Sequence, residues 1–418
     1  MCDMSGFIRE LKTSVDAITE LNWLNTRHGE MTIVLTATAL MLAIAIPRLL
    51  RPKPPIGPDA FMFEYGGWVL VNGGQPYVTF WDVKPPGVYY FTGILSLLSG
   101  GNMAVLHWLS VGANCASVIV SCVLIIRTIG QLSDSYHGGL IGGVAFLAYP
   151  SVFALPATGF RPKFVVLAIT AGSLYLYSRD RILTSVTLAT LAPAFWQLSA
   201  VLPLTLALFT ISNRKSAALP IAYRSGIIIA AVSIPIVAIS GWTPVVAEVV
   251  IAPIIGSESF EPLRHVSRGR YYLRFAAPIA VLGGVELLWQ AIDRENLWLL
   301  APSVLFVLMV IFIDLDGPAD LLLPYLFISV GVGLFAGRLD DSLQHIMAIG
   351  VLVLVGANIL FYLSTSSPGY IPPAAGTENY SHMDIRLFWE QRFPKSCHIR
   401  LSQVERIWIE DNSGRVCK

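Results

Sequence analysis

The sequence has few charged residues for its length. Of its 418 residues only 13% are charged, whereas 55% are hydrophobic, and its mean hydropathy is +0.65. A soluble globular chain carries roughly 25% charged residues, so this chain lacks the polar surface that a water-soluble body of its size needs. The surplus apolar surface must face lipid. The composition therefore predicts an integral membrane protein with many transmembrane helices.

Other shortages exclude further classes of protein. The formal net charge is only +1, which gives no basic surplus for a nucleic-acid partner. The five cysteines are too few and too scattered for a disulfide framework or a zinc site. Only Cys397 and Cys417 flank a short polar tail where they could pair in an oxidising exterior. The chain has no P-loop, no Rossmann glycine fingerprint and no His-Glu-x-x-His, so no soluble-enzyme motif competes with a membrane function.

Apolar stretches recur along most of the chain. A hydrocarbon core about 30 Å thick needs about 20 helical residues, and this length rule predicts an all-α polytopic bundle of about 11–13 transmembrane helices. Several stretches are short enough to be re-entrant or interfacial. The candidate spans are Thr32–Leu50, Gly87–Leu98, Ala104–Ile126, Gly138–Ala154, Phe164–Tyr177, Ile182–Pro193, Leu198–Ile211, Ile221–Ser240, Tyr272–Ala291, Leu297–Ile313, Leu321–Ala336 and Ile346–Leu363.

The chain divides into an N-terminal cytoplasmic amphipathic segment (1–30), a transmembrane domain (31–364) and a small polar C-terminal tail (365–418). Arg179-Asp180-Arg181 and Arg214-Lys215 indicate cytoplasmic turns under the positive-inside rule. With residues 1–30 in the cytoplasm, the first loop (51–86) is external. The sides of the later loops depend on whether Gly87–Leu98 crosses the membrane, which the sequence leaves open.

The first loop carries acids and aromatic residues in an ordered pattern. Pro58–Trp68 is apolar enough to form an interfacial helix on the bilayer surface, and its acids Asp59 and Glu64 would then lie at headgroup depth. The run FWDVKPP at Phe80–Pro86 follows and leads into the next apolar stretch. These charges could be ordinary solvated loop charges. An acid on a membrane-facing helix, followed by acid-x-Lys-Pro-Pro, is nevertheless a specific pattern.

Pro58–Tyr90 resembles the first external loop of the GT-C superfamily of polyprenyl-phosphate-sugar glycosyltransferases. This superfamily includes archaeal dolichyl-phosphate-mannose mannosyltransferases, protein O-mannosyltransferases and lipid A aminoarabinose transferases. Its members carry an Asp, often Asp-Glu, soon after the first span, and then an aromatic residue, an acid and a Lys or His before Pro-Pro. Asp59 matches the first acid, although Ala60 stands where Glu is usual, and Phe80–Pro86 matches the second element. Leu322–Tyr325 is a weaker match to a late motif.

The resemblance implies a fold and a reaction. The fold would be GT-C-like, with an interfacial helix in the first external loop. A sugar, mannose by the resemblance, would move from a dolichyl- or polyprenyl-phosphate donor to a glycan or glycoprotein hydroxyl, with inversion, at the external face of the cell membrane. No cofactor is required with certainty, and a divalent cation is left open. A transporter or flippase of lipid-linked sugars is the alternative, and the missing Glu at Ala60 keeps an inactive scaffold as a third hypothesis.

The chemistry needs a base for the acceptor proton and cations for the departing phosphate. Asp59 is the predicted base, because it matches the catalytic acid of the superfamily and because partial desolvation at the membrane boundary would strengthen it. Asp82 or Glu64 could instead orient the acceptor. Lys84 is a predicted phosphate contact, and the alternative is that it only reaches from a helix end to the interface.

Two other basic clusters are predicted to contact the donor phosphate. The first precedes the span near Tyr272 and matches a basic loop of the relatives, and its arginines can bind phosphate oxygens bidentately. Such residues also act as topology signals or as contacts to anionic lipid. The residues of this cluster are Arg264, His265, Arg268 and Arg270.

The second cluster is Arg161 and Lys163, which stand where relatives often carry an acid. This departure weakens a metal-dependent mechanism and favours phosphate or glycan contacts, although a plain basic turn is at least as well supported. Two further polar features complete the set. Gln197 is predicted to satisfy a neighbouring helix, and Asp314, Asp316 and Asp320 are predicted to lie in a boundary loop, since a carboxylate at the bilayer centre costs about 2.5–3.5 kcal/mol.

Overall fold

The structure is a computed structural model that describes residues 27–50, 58–80, 82–255, 262–290, 292, 296–313 and 317–364. The described residues form helices joined by short turns and contain no strand, which confirms the predicted all-α class. Most of the predicted N-terminal segment, all of the C-terminal tail, Trp81, Asp314 and Asp316 lie outside the described residues.

The helices are numbered in chain order, and short 3₁₀ or π turns extend or connect several of them. Their bounds are α1 Arg27–Leu49, α2 Pro58–Val71, α3 Gly87–Leu98, α4 Met103–Ser133, α5 Tyr136–Leu147, α6 Pro150–Ala154, α7 Pro162–Ser178, α8 Ile182–Ala189, α9 Val201–Asn213, α10 Ala218–Ser240, α11 Trp242–Val246, α12 Ala252–Ile255, α13 Pro262–Leu273, α14 Ala277–Gln290, α15 Leu297–Phe312, α16 Leu322–Gly337 and α17 Asp341–Ser364.

One end of the bundle, the far end, is defined by contacts at the start of α1. Glu30 accepts hydrogen bonds from Arg127 of α4 (2.9 Å) and from the hydroxyl of Tyr136 at the start of α5 (3.2 Å). Arg179, just after α7, donates to Gln131 of α4 (2.9 Å). The start of α1, the end of α4, the start of α5 and the end of α7 therefore lie together.

The opposite end, the site end, carries the first loop. Glu64 of α2 lies 3.1 Å from Nδ1 of His107, near the start of α4. α4 therefore runs from the site end to the far end, antiparallel to α1. α3 connects the first loop to the start of α4, so both of its ends lie at the site end. The prediction that Gly87–Leu98 spans the membrane is thus wrong. Its twelve helical residues extend only about 18 Å, and the segments before and after it both lie at the site end.

The later helices alternate between the two ends. Trp298 at the start of α15 stacks on Tyr177 at the far end, whereas the carbonyl of Ile311 near its end contacts His265 of α13. A hydrogen bond joins Tyr362, near the end of α17, to Arg48 at the end of α1.

Six described helical segments are long and apolar enough to span a membrane, and the α5–α6 pair, bent by 73°, adds a seventh. By length and composition this is fewer than the predicted total of about 11–13 spans. Shorter apolar helices, among them α9 and α15, also belong to the bundle.

Both basic turns lie at the far end, as the positive-inside argument requires. Arg214 donates to Asp180 over 3.2 Å, which brings the turn after α7 beside the turn after α9. Because α1 also begins at the far end, the two turns and the start of the first span lie on one side of the bundle. The first loop lies on the other side.

α2 is packed inside the protein more than a surface helix would be. A Cβ on Gly67 would lie 2.3 Å from the hydroxyl of Thr92, so this glycine lets α2 pack closely on α3. Phe63 of α2 makes an edge contact with Phe160, which lies between α6 and α7. Among the described side chains of α2 only Asp59 and Val71 are exposed. The packing therefore buries most of α2 and leaves its first acid open.

Candidate functional site

Asp59 lies at the start of α2, at the open edge of the site end. Its side chain is 59% exposed, and one carboxylate oxygen lies 3.7 Å from Nη1 of Arg161. The protein itself leaves this carboxylate exposed, and its partial desolvation at the membrane boundary stays a prediction. Asp59 is instead accessible to a second molecule and has a cation beside it.

Arg161 comes from the turn between α6 and α7, about a hundred residues later in the sequence. Its side chain is only 14% exposed, and its Nε donates to the hydroxyl of Thr158 over 3.3 Å. Burial lowers the pKa of its guanidinium, and the charge of Asp59 opposes that shift. The structure thus brings the predicted base and a predicted phosphate contact together.

Glu64 lies in the interior behind this pair. Its carboxylate is fully buried, accepts a hydrogen bond from the backbone amide of Phe160 (2.9 Å) and contacts the ring of His107. A side chain enclosed in this way does not reach an acceptor. Glu64 therefore supports the turn that carries Arg161. The sequence analysis did not single out His107, because a histidine inside an apolar span has no local signal for such a role.

Asp82 and Lys84 form a second corner of the first loop. Asp82 is 4% exposed and accepts hydrogen bonds from the hydroxyl of Tyr89 (2.6 Å) and the backbone amide of Lys84 (3.3 Å). The hydroxyl of Tyr77 donates to the carbonyl of Lys84 (2.7 Å). Asp82 thus fixes the backbone of Lys84, whose own side chain is partly exposed.

The charges of this corner influence one another. Burial raises the pKa of Asp82, the charge of Lys84 opposes this, and repulsion from Asp59 adds a smaller increase. Asp59, Asp82 and Lys84 therefore share one electrostatic environment. The match of Phe80–Pro86 to the superfamily motif corresponds to a rigid corner that presents Lys84.

Gln197 ties this corner to the helices behind it. Its side-chain amide donates to the carbonyl of Val83 and, over 3.4 Å, to that of Val249. Val249 lies in the π-helical segment Ala247–Ile251, which also contains the buried Glu248. The prediction that Gln197 satisfies a neighbouring segment is thus confirmed for two backbone carbonyls.

Lys163 has a partner in the interior. It forms an ion pair with Asp320, which is 2% exposed, and its ammonium lies 4.8 Å from the ring centroid of Trp196. The other carboxylate oxygen of Asp320 accepts from the backbone amide of Gly317 (2.8 Å). Asp320 lies in the 3₁₀ turn Pro318–Leu321, directly before α16, and its placement in a loop at the bilayer boundary stays a prediction. Asp320 balances the charge of Lys163 within the protein. A cation that binds the donor phosphate would not need such a partner.

The basic cluster at 264–270 lies on α13, which packs against α15 and the turn Pro318–Leu321. His265 is buried, and its Nδ1 lies 2.6 Å from the carbonyl of Ile311. Arg264 and Arg270 are exposed, and Arg268 is partly exposed. The structure therefore gives His265 a packing role and leaves the arginines beside the turn that pairs with Lys163.

Within the described ranges, no three His, Cys, Asp or Glu side chains converge as they would around a metal ion.

Comparisons with known proteins agree with this geometry. Residues 73–237 match the family described as DolP-mannose mannosyltransferase. The dolichol phosphate-mannose mannosyltransferase of Haloferax volcanii is 25% identical over 430 residues, covering 91% of this chain and 94% of that protein. The chain is thus similar to dolichol phosphate-mannose mannosyltransferases.

Solved structures of membrane enzymes have a similar fold. ArnT from Cupriavidus metallidurans superposes with a TM-score of 0.58 at 15% identity, over 82% of this chain and 66% of ArnT. The same ArnT bound to undecaprenyl phosphate gives 0.56 at 15% identity, over 88% and 69%. The oligosaccharyltransferase of Archaeoglobus fulgidus gives 0.52 at 11% identity, over 86% of this chain and 56% of that enzyme. The chain thus spans about two thirds of the length of ArnT.

Proposed function

We propose that the protein transfers mannose from a dolichyl- or other polyprenyl-phosphate donor to a hydroxyl of a glycan or glycoprotein. The name of the Haloferax volcanii relative supports this donor, because the match covers nearly all of both chains. The matched family description, DolP-mannose mannosyltransferase, supports the same sugar. The ArnT structure with undecaprenyl phosphate supports a polyprenyl-phosphate ligand for this fold.

The observation that carries the proposal is the contrast between Asp59 and the other acids around it. Glu64, Asp82 and Asp320 are each at most 4% exposed and have partners inside the protein. Asp59 is exposed and lies beside Arg161. Asp59 is therefore the acid of this group that an acceptor hydroxyl can reach.

In the proposed reaction Asp59 accepts the proton of the acceptor hydroxyl as that oxygen attacks the anomeric carbon. The bond between the anomeric carbon and the phosphate oxygen breaks, and its electron pair stays on the departing phosphate. Arg161 and Lys84 stabilise the negative charge that develops there. One displacement from the opposite face inverts the anomeric carbon.

The remaining predicted residues have supporting roles in this proposal. Asp82 holds Lys84, and Lys163 holds Asp320. The exposed arginines of α13 are proposed to contact the donor phosphate or the lipid surface near it. A divalent cation remains a prediction, and the proton transfer and charge stabilisation described above do not involve one.

The site is proposed to face the exterior of the cell membrane. The start of α1 and both basic turns lie at the far end, which the positive-inside rule places in the cytoplasm. The site end is on the other side.

A transfer assay on purified protein tests the proposal. The protein is incubated with radiolabelled polyprenyl-phosphate mannose and glycan acceptors, and the labelled product is measured. Transfer is expected for the wild type and is expected to be abolished in Asp59→Asn with folding unchanged, whereas Glu30→Gln at the far end serves as a control and should keep the activity. Full transfer by Asp59→Asn would remove Asp59 as the base. Movement of the donor across vesicles with no transfer to any acceptor would favour a flippase.

A further inference from the structure

We propose that Asn114 and His107 of α4, together with Glu64 of α2, are positioning residues that hold the turn between α6 and α7 so that Arg161 faces Asp59. The meaning of this role for catalysis rests on the function proposed above. The geometry itself is independent of the substrate.

Asn114 binds three backbone groups of this turn. Its Nδ2 donates to the carbonyls of Gly159 (2.7 Å) and Pro156 (3.3 Å), and its Oδ1 accepts from the amide of Arg161 (3.3 Å). The side chain is fully buried in the middle of the protein. An amide can donate and accept at the same time, so Asn114 fixes both the start of the turn and the backbone of Arg161 itself.

Glu64 and His107 fix the turn from its other side. Glu64 accepts from the amide of Phe160 (2.9 Å), and both of its oxygens lie 3.1–3.2 Å from Nδ1 of His107. Both side chains are fully buried. A buried carboxylate is costly unless it is paired and hydrogen-bonded, so His107 allows Glu64 to remain inside and bind the turn.

Gly159 shows how closely α2 approaches. Its φ of +97° is a backbone conformation that favours glycine, and a Cβ there would lie 2.8 Å from both Cβ of Ala60 and Oε1 of Glu64. Ala60, which stands where relatives usually carry Glu, is thus small because the turn packs against it. Glu64, one helical turn later on the same face of α2, supplies the carboxylate that holds the turn.

These contacts together fix the direction of the Arg161 side chain. The backbone is held at Pro156, Gly159, Phe160 and Arg161, and from there the guanidinium reaches the hydroxyl of Thr158 and the carboxylate of Asp59. If these hydrogen bonds only stabilised the fold, their loss would weaken ligand binding whether or not the Arg161 side chain is present. If they position Arg161, their loss should have no further effect on binding once the Arg161 side chain has been removed.

A double-mutant cycle on lipid-phosphate binding makes this distinction. The probe is dolichyl phosphate, titrated onto the purified full chain in detergent. Asn114→Ala is expected to weaken binding by about tenfold, because a displaced Arg161 would lose its charge-assisted hydrogen bond to the phosphate. Arg161→Ala is expected to weaken it at least as much, and the double variant Asn114→Ala/Arg161→Ala should bind no more weakly than Arg161→Ala. Ser121→Ala removes another buried hydrogen bond of α4, to the carbonyl of Ser117, and should leave binding unchanged.

Two results would overturn the inference: additive losses in the double variant, or unchanged binding by Asn114→Ala. Should Asn114→Ala fail to fold, Asn114→Leu replaces it in the same cycle, since it keeps most of the side-chain volume and removes the bonds to Gly159, Pro156 and Arg161. Radiolabelled mannose transfer is measured on the same samples as a separate readout. Absence of transfer by the wild type would reject the proposed function, while the coupling between Asn114 and Arg161 in lipid-phosphate binding would still decide the positioning role.

Discussion

The exposed edge of the site and the buried layer behind it use the same kinds of residue in different ways. At the edge, Asp59 lies beside Arg161 with its carboxylate open. In the buried layer, Asp320 is paired with Lys163, and Asp82 is bonded to Tyr89. The exposure of an acid in this fold, more than its place in a motif, therefore determines whether it can contact a substrate.

The energetics of the two regions differ as well. The pair of Asp59 and Arg161 has one exposed partner and a separation of 3.7 Å, so we expect it to contribute little to stability, as ion pairs open to solvent do, at about 0–1 kcal/mol. Loss of one partner from a buried pair costs about 3–5 kcal/mol, because the remaining charge stays buried without compensation. The exposed edge is therefore free to serve chemistry, whereas the buried layer is required for shape.

The largest expected effect concerns the buried layer. Lys163→Ala leaves Asp320 inside the protein without its cation, and the free energy of unfolding should fall by about 3–5 kcal/mol. Thermal unfolding in detergent, followed by intrinsic fluorescence, measures this loss. The double variant Lys163→Ala/Asp320→Asn should recover much of it. Equal stability of Lys163→Ala and the wild type would show that Lys163 belongs to the exposed edge.

Lys84→Ala should affect binding and leave the fold intact. The backbone amide and carbonyl of Lys84, which contact Asp82 and Tyr77, remain in the variant, and only the ammonium is removed. The affinity for dolichyl phosphate should fall by about tenfold, the effect of about 1.4 kcal/mol, with an unchanged melting temperature. A lowered melting temperature with normal affinity would instead place Lys84 in the buried layer.

The smallest expected effect is a change in pH dependence for Asp82→Asn. Burial raises the pKa of Asp82, so the folded protein holds the proton more tightly than the unfolded chain. The contribution of Asp82 to the stability of the wild type is then greatest below the ordinary carboxyl pKa and decreases as pH rises through the raised value. The variant has no titrating group at position 82, so its melting temperature relative to that of the wild type should rise as pH increases. Parallel melting profiles would contradict this account.

The sequence predicted the fold class and the location of the site for local reasons. The low charge content and the recurrent apolar stretches indicate a membrane bundle, and the motif residues from Asp59 to Lys84 lie within one loop. Hydropathy alone did not reveal that α3 stays at one end, because this depends on the contact between Glu64 and His107. It also failed to reveal the enclosure of Glu64, whose carboxylate is bonded to His107 and Phe160 from distant parts of the chain.

Lys163 illustrates the same limit. It lies two residues from Arg161, and no local pattern distinguishes the roles of the two residues. The fold gives the two residues different partners, because Arg161 lies beside Asp59 whereas Lys163 pairs with Asp320.

The most direct test of the account compares two acids of the first loop in one experiment. The rate of a single turnover at saturating polyprenyl-phosphate mannose is measured for the wild type, Asp59→Asn and Asp82→Asn. Loss of a general base typically reduces the rate by about 10²–10⁴, and we expect a loss of this size for Asp59→Asn, with unchanged donor affinity, and a much smaller loss for Asp82→Asn. A full rate for Asp59→Asn, or the greater loss for Asp82→Asn, would contradict the assignment of the chemistry to the exposed edge.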